Sequence, residues 1–120
     1  MAEIVIEAGR LVVRLTAFER IEALHGDVAV SLAAVRSVSV EDQPLTAAHG
    51  LRAPGTSVPG VVKAGTWRSS TEGRQFVLAN RGLRAVRIEL AQGEADFDVL
   101  LVAVPNPEAV AAQVREAAAL

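Results

Sequence analysis

The stretch that decides the fold is residues 50–67, which read GLRAPGTSVPGVVKAGTW. It contains two Pro-Gly dipeptides, Pro54-Gly55 and Pro59-Gly60, and the only tryptophan of the chain. In a type II turn, proline takes the second position and glycine the third, where φ is positive. We therefore predict a turn at each dipeptide. Because flexible linkers combine glycine with serine rather than with valine and tryptophan, we expect an ordered, turn-rich connection between strands.

Residues 50–67 have two functional interpretations. Turn chemistry explains the glycines, which favours a scaffold. Three side chains that no turn requires, Arg52, Trp67 and Arg68, are instead candidate ligand- or partner-binding residues of a binding surface. The strand that leads to Trp67 does not determine which way its side chains face. Lys63 and Trp67 share one face of a regular strand, so either both point to solvent or both point inward, unless a bulge at Gly65 shifts the phase.

Length and composition favour one domain over residues 1–120. The chain has no cysteine, which excludes disulfides, thiolate zinc sites and thiol catalysis. Its N-terminus is acidic, and no apolar run approaches the ~18 residues of a membrane span. We therefore expect a soluble, cytoplasmic protein without stable membrane insertion.

Charge is unevenly distributed along the chain, whose net charge is −2. Residues 51–90 carry seven basic and two acidic side chains, and both flanking regions are acidic. Most simply, arginines on the solvent faces of strands pair with acids elsewhere in the fold. The functional alternative is a patch for an anionic partner. Few aromatic residues and an acidic total make nucleic acid an unexpected partner.

Apolar and polar residues alternate with period two in much of the chain, as in half-buried antiparallel strands. The strand-like runs lie at residues 3–6, 10–15, 28–32, 35–40, 61–68, 75–78, 85–90 and 97–104. Glycines fall between many of these runs. Short strands separated by turn signals predict a barrel or a sandwich rather than a parallel α/β sheet.

Two segments have helical patterns. Thr16 and Glu19 have the spacing of a capping box, and Phe18, Ile21 and Leu24 fall near one face of the short helix that follows. A second helix is expected after Pro107, which suits the first helical position and follows a potential cap at Asn106. The apolar stripe of this C-terminal helix consists of Val110, Ala111, Val114, Ala117 and Ala118.

Nearly the whole chain resembles a family of uncharacterised, mostly actinobacterial proteins within the bacterial pleckstrin-homology-like domains. The resemblance rests on Leu51-Arg52-Ala53-Pro54-Gly55-Thr56, Pro59-Gly60, Gly65-Thr66, Ile88-Glu89-Leu90 and Pro105-Asn106-Pro107-Glu108. It implies a mainly β fold: a pleckstrin-homology-like antiparallel β-barrel of about seven strands, with a C-terminal α-helix and a short helix near residues 16–24. It also implies a scaffold that binds lipids, peptides or other proteins and has no known reaction.

The sequence departs from phosphoinositide-binding members of that superfamily at the first strand pair. Those members cluster Lys and Arg there, whereas this chain has only Arg10 and Arg14 beside Glu3 and Glu7. We therefore expect no appreciable binding to phosphoinositide vesicles.

No catalytic constellation is visible in the sequence. His25 lies where a helix C-terminus favours a cation, and His49 lies in a turn-rich segment without a nucleophile elbow. Asp96 and Asp98 alternate as on a solvated strand face. No zinc, Walker or dinucleotide motif occurs, so we expect no enzyme, metal or cofactor.

We therefore predict a non-enzymatic interaction module whose partner is an unknown protein or peptide, with homo-oligomerisation left open. The first alternative is a binder of small anionic ligands or lipid headgroups that uses Arg52 and Arg68. An uncharacterised enzyme is the second alternative. A peptide-binding module should show an apolar groove beside the helix or a free sheet edge. A headgroup binder should show converging arginines, and an enzyme should show a pocket with convergent titratable groups.

Overall fold

The computed structural model describes residues 1–48 and 50–120, and for Arg52 and Ala53 it describes the backbone alone. In this part of the chain the strands are β1 (Glu3–Glu7), β2 (Arg10–Arg14), β3 (Val28–Ser31), β4 (Val35–Glu41), β5 (Leu51–Val58), β6 (Val62–Ser69), β7 (Gly73–Asn80), β8 (Ala85–Leu90) and β9 (Val99–Ala103). The helices are α1 (Ala17–Ala23), α2 (Pro44–Ala47) and α3 (Pro107–Ala117). The predicted mainly β fold with a C-terminal helix is confirmed.

The strands form two sheets. A three-stranded sheet has the order β1-β2-β3, and a six-stranded sheet has the order β4-β8-β9-β7-β6-β5. Neighbouring strands are antiparallel except for β7 and β9, which run parallel. The described residues thus form nine strands rather than about seven, and their hydrogen-bonded ladders do not close into one barrel.

The β1–β2 hairpin closes with a two-residue turn at Ala8 and Gly9. Both residues have positive φ, 51° and 75°, as the favoured hairpin turns require. Glu7 and Arg10 are therefore directly opposite each other, and the register continues to Glu3 and Arg14.

The capping box that begins α1 is confirmed. The Thr16 hydroxyl accepts a hydrogen bond from the Glu19 amide, and the Glu19 carboxylate accepts one from the Thr16 amide. The apolar face predicted for this helix nevertheless lies in solvent. Its three large side chains are 64–71% exposed: Phe18, Ile21 and Leu24. The buried residue of α1 is the small Ala23, because the helix packs against the sheet through its other side.

Helix α3 begins at Pro107 as predicted, but the Asn106 side chain makes no capping hydrogen bond. The buried stripe is Pro107, Ala111 and Val114, whereas Ala117 is exposed. The helix lies along β4, where it buries this stripe against the main core.

The two faces of β6 pack into different apolar clusters, so Trp67 and Lys63 both point inward, but away from the main core. Val62 and Ala64 join the main core. Trp67 packs on the opposite face, in a smaller cluster that α2 helps to cover. Lys63 shares the Trp67 side, and its amine donates a hydrogen bond to the Ala48 carbonyl. Partial burial lowers the pKa of Lys63. The register of β6 with β7 runs without interruption through Gly65.

Of the two predicted Pro-Gly turns, one is confirmed and one is wrong. Pro59-Gly60 forms the turn between β5 and β6, where the Val61 amide donates to the Val58 carbonyl at 3.0 Å. Pro54-Gly55 lies inside β5, directly after a register shift between Arg52 and Gly55. Residues 51–69 are thus mostly a strand hairpin rather than a loop.

Candidate functional site

The structure does not bring the candidate residues from the sequence together on one surface. Trp67 is 3% exposed and lies in the smaller apolar cluster. Arg68 is exposed, and since successive side chains of a strand leave opposite faces, it points away from the indole. Arg52 pairs with Trp67 in the β5–β6 ladder, but its side chain lies outside the described residues.

The basic middle of the chain is partly neutralised by ion pairs: the predicted pairing with acids elsewhere in the fold is found at Arg84, whereas Arg87 pairs with the two acids of the region itself. Arg87 contacts Glu72 and Glu89, each at 2.6 Å. The hydrogen bond that Arg87 donates to Glu89, together with a second one from the Ser37 hydroxyl, lowers the pKa of the Glu89 carboxyl. Arg84 pairs with Glu108 at the start of α3.

One basic side chain of this region faces an open depression. Arg68 makes no ion pair within the described part of the chain. The depression, of about 860 Å³, is lined by Gly50, Leu51, Arg68, Ser69, Ser70 and Thr71. Among the side chains that the structure describes, the depression contains one guanidinium rather than converging arginines.

The titratable residues singled out from the sequence have structural roles or lie on the surface. The His25 ring packs against Phe76 and Phe97 at centroid distances of 5.2 and 5.6 Å. Asp98 accepts a hydrogen bond from the Arg74 amide at 2.9 Å, and Asp96 is exposed.

His49 lies outside the described residues. Over residues 1–48 and 50–120, no three His, Cys, Asp or Glu side chains lie close enough together to hold a metal ion.

Four strands lie at sheet edges, and three of these edges are obstructed. The β4 edge is covered by α3, from which the Arg115 guanidinium donates two hydrogen bonds to the Val38 carbonyl, at 3.1 and 2.9 Å. The β5 edge contains Pro54, which has no amide hydrogen, and a bulge directly before Gly55. The β3 edge is only four residues long and continues into a 3-10 turn at Leu32–Ala34. Short strands, prolines and bulges are common ways of blocking an edge.

The fourth edge, β1, has free backbone groups. In a hairpin with a two-residue turn, the flanking residues exchange both hydrogen bonds, and this pairing recurs at every second residue. Glu7, Val5 and Glu3 therefore direct their backbone groups to β2. The N–H and C=O groups of Ile4 and Ile6 point to the open edge, and no partner for them occurs among the described residues.

A groove of about 270 Å³ opens beside this edge, between β1 and the start of α3. Most of its lining is apolar and comes from both ends of the chain: Ala2, Glu3, Ile4, Val5, Val104, Pro105, Asn106 and Val110. Ile4 is buried in the main core and Val110 is half-buried against it, so the floor of the groove continues the core. An extended segment could pair with β1 there and place a side chain in the groove.

Sequence reasoning missed this site because it depends on the order of strands in the sheet. The run Glu3–Glu7 reads only as one of several short apolar strands. The glutamate at each end fits an edge strand, but the central strand β2 also has a charged residue at each end, so this signal does not distinguish β1.

Comparisons with known proteins do not identify the chain. No family model matches it, and searches of curated proteins and of solved structures found no match either. The resemblance to pleckstrin-homology-like proteins therefore stays a prediction.

Within the part of the chain that is described, no helix is both long enough and apolar enough to cross a membrane.

Proposed function

We propose that this protein is a non-enzymatic interaction module that binds an extended segment of a partner protein by strand addition to β1. One observation carries the proposal: the backbone groups of Ile4 and Ile6, for which the described residues supply no partner, lie beside an apolar groove. Peptide-binding domains commonly combine these two features, with backbone hydrogen bonds supplying affinity and pockets supplying specificity.

The expected affinity is moderate. Up to four backbone groups of β1 can form hydrogen bonds, each worth roughly 0.5–1.5 kcal/mol net. One apolar side chain in the groove adds about 1.5–3 kcal/mol. Ordering the peptide and losing its translational freedom offset much of this. Binding with a dissociation constant of a few hundred micromolar, about −5 kcal/mol, is therefore the expectation.

A pleckstrin-homology-like ancestry and a cytoplasmic location remain part of this proposal. The mainly β fold and the C-terminal helix on the core support the first. The number of strands and the parallel β7–β9 pair differ from the predicted antiparallel barrel. The proposed cytoplasmic location rests on the sequence, in which no membrane span is predicted.

The test begins with selection of random displayed peptides on the purified protein, followed by fluorescence anisotropy of the selected peptides. Val110→Asp places a carboxylate in the groove, while Ala112→Asp makes the same kind of change at an exposed position of α3. Ile6→Pro removes an N–H that points to the open edge, and it removes none of the hydrogen bonds between β1 and β2. We expect Val110→Asp and Ile6→Pro to weaken binding roughly tenfold, which equals about 1.4 kcal/mol, and Ala112→Asp to have no effect.

Two results would contradict the proposal. One is a selection that enriches no peptide. The other is a set of enriched peptides that bind Val110→Asp and Ile6→Pro as tightly as the unchanged protein, with thermal melts showing that both variants are folded.

A second candidate function is binding of a small anion in the depression beside Arg68. The guanidinium of Arg68, which forms no ion pair with any described residue, favours it. Titration with inorganic phosphate, followed by NMR, should then shift the signals of Arg68 and Ser70, and Arg68→Ala should abolish the shift. An unchanged spectrum at millimolar phosphate would exclude this candidate.

An enzyme is the least supported function. Three carboxylates line one cavity of about 340 Å³, those of Glu72, Glu89 and Asp98. Glu72 and Glu89 already pair with Arg87, and Asp98 already accepts the Arg74 amide. These groups hold strands together, so they support no role in proton transfer.

A further inference from the structure

We infer that the segment recognised by β1 carries a basic residue at each end of an alternating apolar core; this inference rests on the proposed function. It comes from the sequence of the edge itself, Glu3-Ile4-Val5-Ile6-Glu7, seen in its place in the fold. A glutamate stands at each end of the open edge, and both glutamates are exposed.

The residues of β1 predict which type of ligand residue should lie opposite each of them in an added strand. Side chains directly opposite each other in neighbouring strands lie on the same side of the sheet. Ligand residues opposite Ile4 and Ile6 therefore point to the core side, where the groove lies, and should be apolar. Ligand residues opposite Glu3, Val5 and Glu7 lie on the other side of the sheet. The resulting pattern is basic, apolar, β-branched, apolar, basic.

The charges around the edge support basic rather than acidic ends. Glu3 has no ion pair among the described residues, whereas Glu7 pairs with Arg14 at 3.0 Å. Arg14 and Arg10 stand opposite Glu3 and Glu7 on β2, the strand away from the ligand, and Glu3 is the one charged residue among the described residues that line the groove. Opposite charges across two strands stabilise the pair, and like charges destabilise it. Most of the effect should come from Glu3, because Arg14 already neutralises part of Glu7.

In the register that pairs all five residues of both strands, the same charges disfavour a second copy of this chain as the occupant. The run from Glu3 to Glu7 reads the same in both directions. Antiparallel pairing of two β1 strands centred on Val5 would therefore place Glu3 of each copy opposite Glu7 of the other. Such a dimer has like charges opposed at both ends, whereas a ligand with basic ends has none.

The experiment uses two synthetic peptides that differ only in their charges. One contains Lys-Val-Thr-Val-Lys and the other Glu-Val-Thr-Val-Glu, within identical neutral flanks and with the same fluorescent label. Anisotropy is measured on the full chain, on Glu3→Lys, and on Glu116→Lys. The last variant makes the same charge change at an exposed position of α3 away from the groove. Exchange of the Ile4 and Ile6 amides is followed by NMR in parallel.

We expect the lysine peptide to bind the unchanged protein about tenfold more tightly than the glutamate peptide, since two cross-strand charge pairs change sign. Glu3→Lys should remove most of this preference, and Glu116→Lys should preserve it. The preference should also shrink as salt is added, because both glutamates are exposed.

The two proposals fail in different ways. Equal affinity for both peptides, with protection of the Ile4 and Ile6 amides, would overturn the charge pattern but leave strand addition intact. No protection of these amides by any selected peptide would overturn strand addition itself. A dimer of the unchanged protein that Ile6→Pro dissociates would show that a second copy occupies the edge, which contradicts the inference.

Discussion

Pro54-Gly55 and Pro59-Gly60 are the same dipeptide five residues apart, and the fold uses them differently. Pro59-Gly60 makes the turn between β5 and β6, and a β-carbon on Gly60 would meet no atom within 4 Å. Pro54-Gly55 lies in a bulged edge strand, and a β-carbon on Gly55 would collide with the backbone of β6. Glycine is needed at position 60 only because φ is positive there. At position 55 it is needed for the positive φ and also because no β-carbon fits.

The crowding at Gly55 comes from the backbone of β6 across the ladder, first from the Ala64 carbonyl oxygen and then from the ladder partner Gly65. Gly55 pairs with Gly65, and a β-carbon on Gly55 would lie 2.9 Å from the Gly65 Cα. A β-carbon on Gly65 would lie 2.6 Å from the Gly55 Cα. Both glycines have positive φ, 151° and 134°. The two backbones therefore approach more closely than any pair with side chains permits, which explains two glycines that turn chemistry alone does not.

The largest effect should come from Gly55→Ala. The added β-carbon combines a strained φ with overlap onto fixed backbone, and together these should cost about 3 kcal/mol or more. Against a total stability of ~5–15 kcal/mol, the melting temperature should fall by roughly 10 °C or more, as calorimetry can measure.

Gly65→Ala is the matched test of that explanation. It should destabilise by a similar amount, and the double variant should cost less than the sum of the two, because the strands separate only once. Melting temperatures within 2 °C of the unchanged protein, about 0.5 kcal/mol, would show that the strands separate without cost and that the space argument is wrong.

Gly60→Ala should have an intermediate effect. Its φ of +73° is unfavourable for alanine, but the space around it is open. The expected cost is about 1 kcal/mol, a few degrees in a thermal melt. If Gly60→Ala proved as damaging as Gly55→Ala, the positive φ that both glycines share would account for the whole cost, and the space argument would be wrong.

The smallest change in stability should follow Pro54→Ala. The exposed Pro54 sits on an edge strand, so its replacement acts mainly through the unfolded chain and costs less than about 1 kcal/mol. The variant does restore an N–H to the β5 edge, and light scattering on heating should show faster aggregation than for Pro59→Ala. Equal aggregation of the two variants would mean that the bulge, and not Pro54, protects this edge.

The parts of the fold that were predictable are those with local causes. The capping box of Thr16 and Glu19 was predictable because both partners lie within one helical turn. Pro107 at the start of α3 and the Pro59-Gly60 turn belong to the same class. Each depends on backbone geometry that a few neighbouring residues determine.

The candidate site was not predictable in this way. The pattern of Phe18, Ile21 and Leu24 indicates an apolar helix face, yet only the packing of α1 shows that this face is exposed. Trp67 reads as a possible contact residue until α2 covers its face of the sheet. Arg68, its neighbour, shares a strand face with the buried Ala64 and Thr66, and it is exposed because it lies near the end of β6, beyond the part that the core covers.

By itself the sequence determined the mainly β class, the C-terminal helix and the local caps and turns, since period-two patterning and capping act over a few residues. Only the tertiary structure decided which strands end up at sheet edges and which edges are covered. Strand order arises from contacts between distant residues, such as Arg115 with Val38 or Gly55 with Gly65, for which no short segment carries a signal. The open edge of β1 and its groove are therefore properties of the folded chain, although the two glutamates that flank them stand in the sequence.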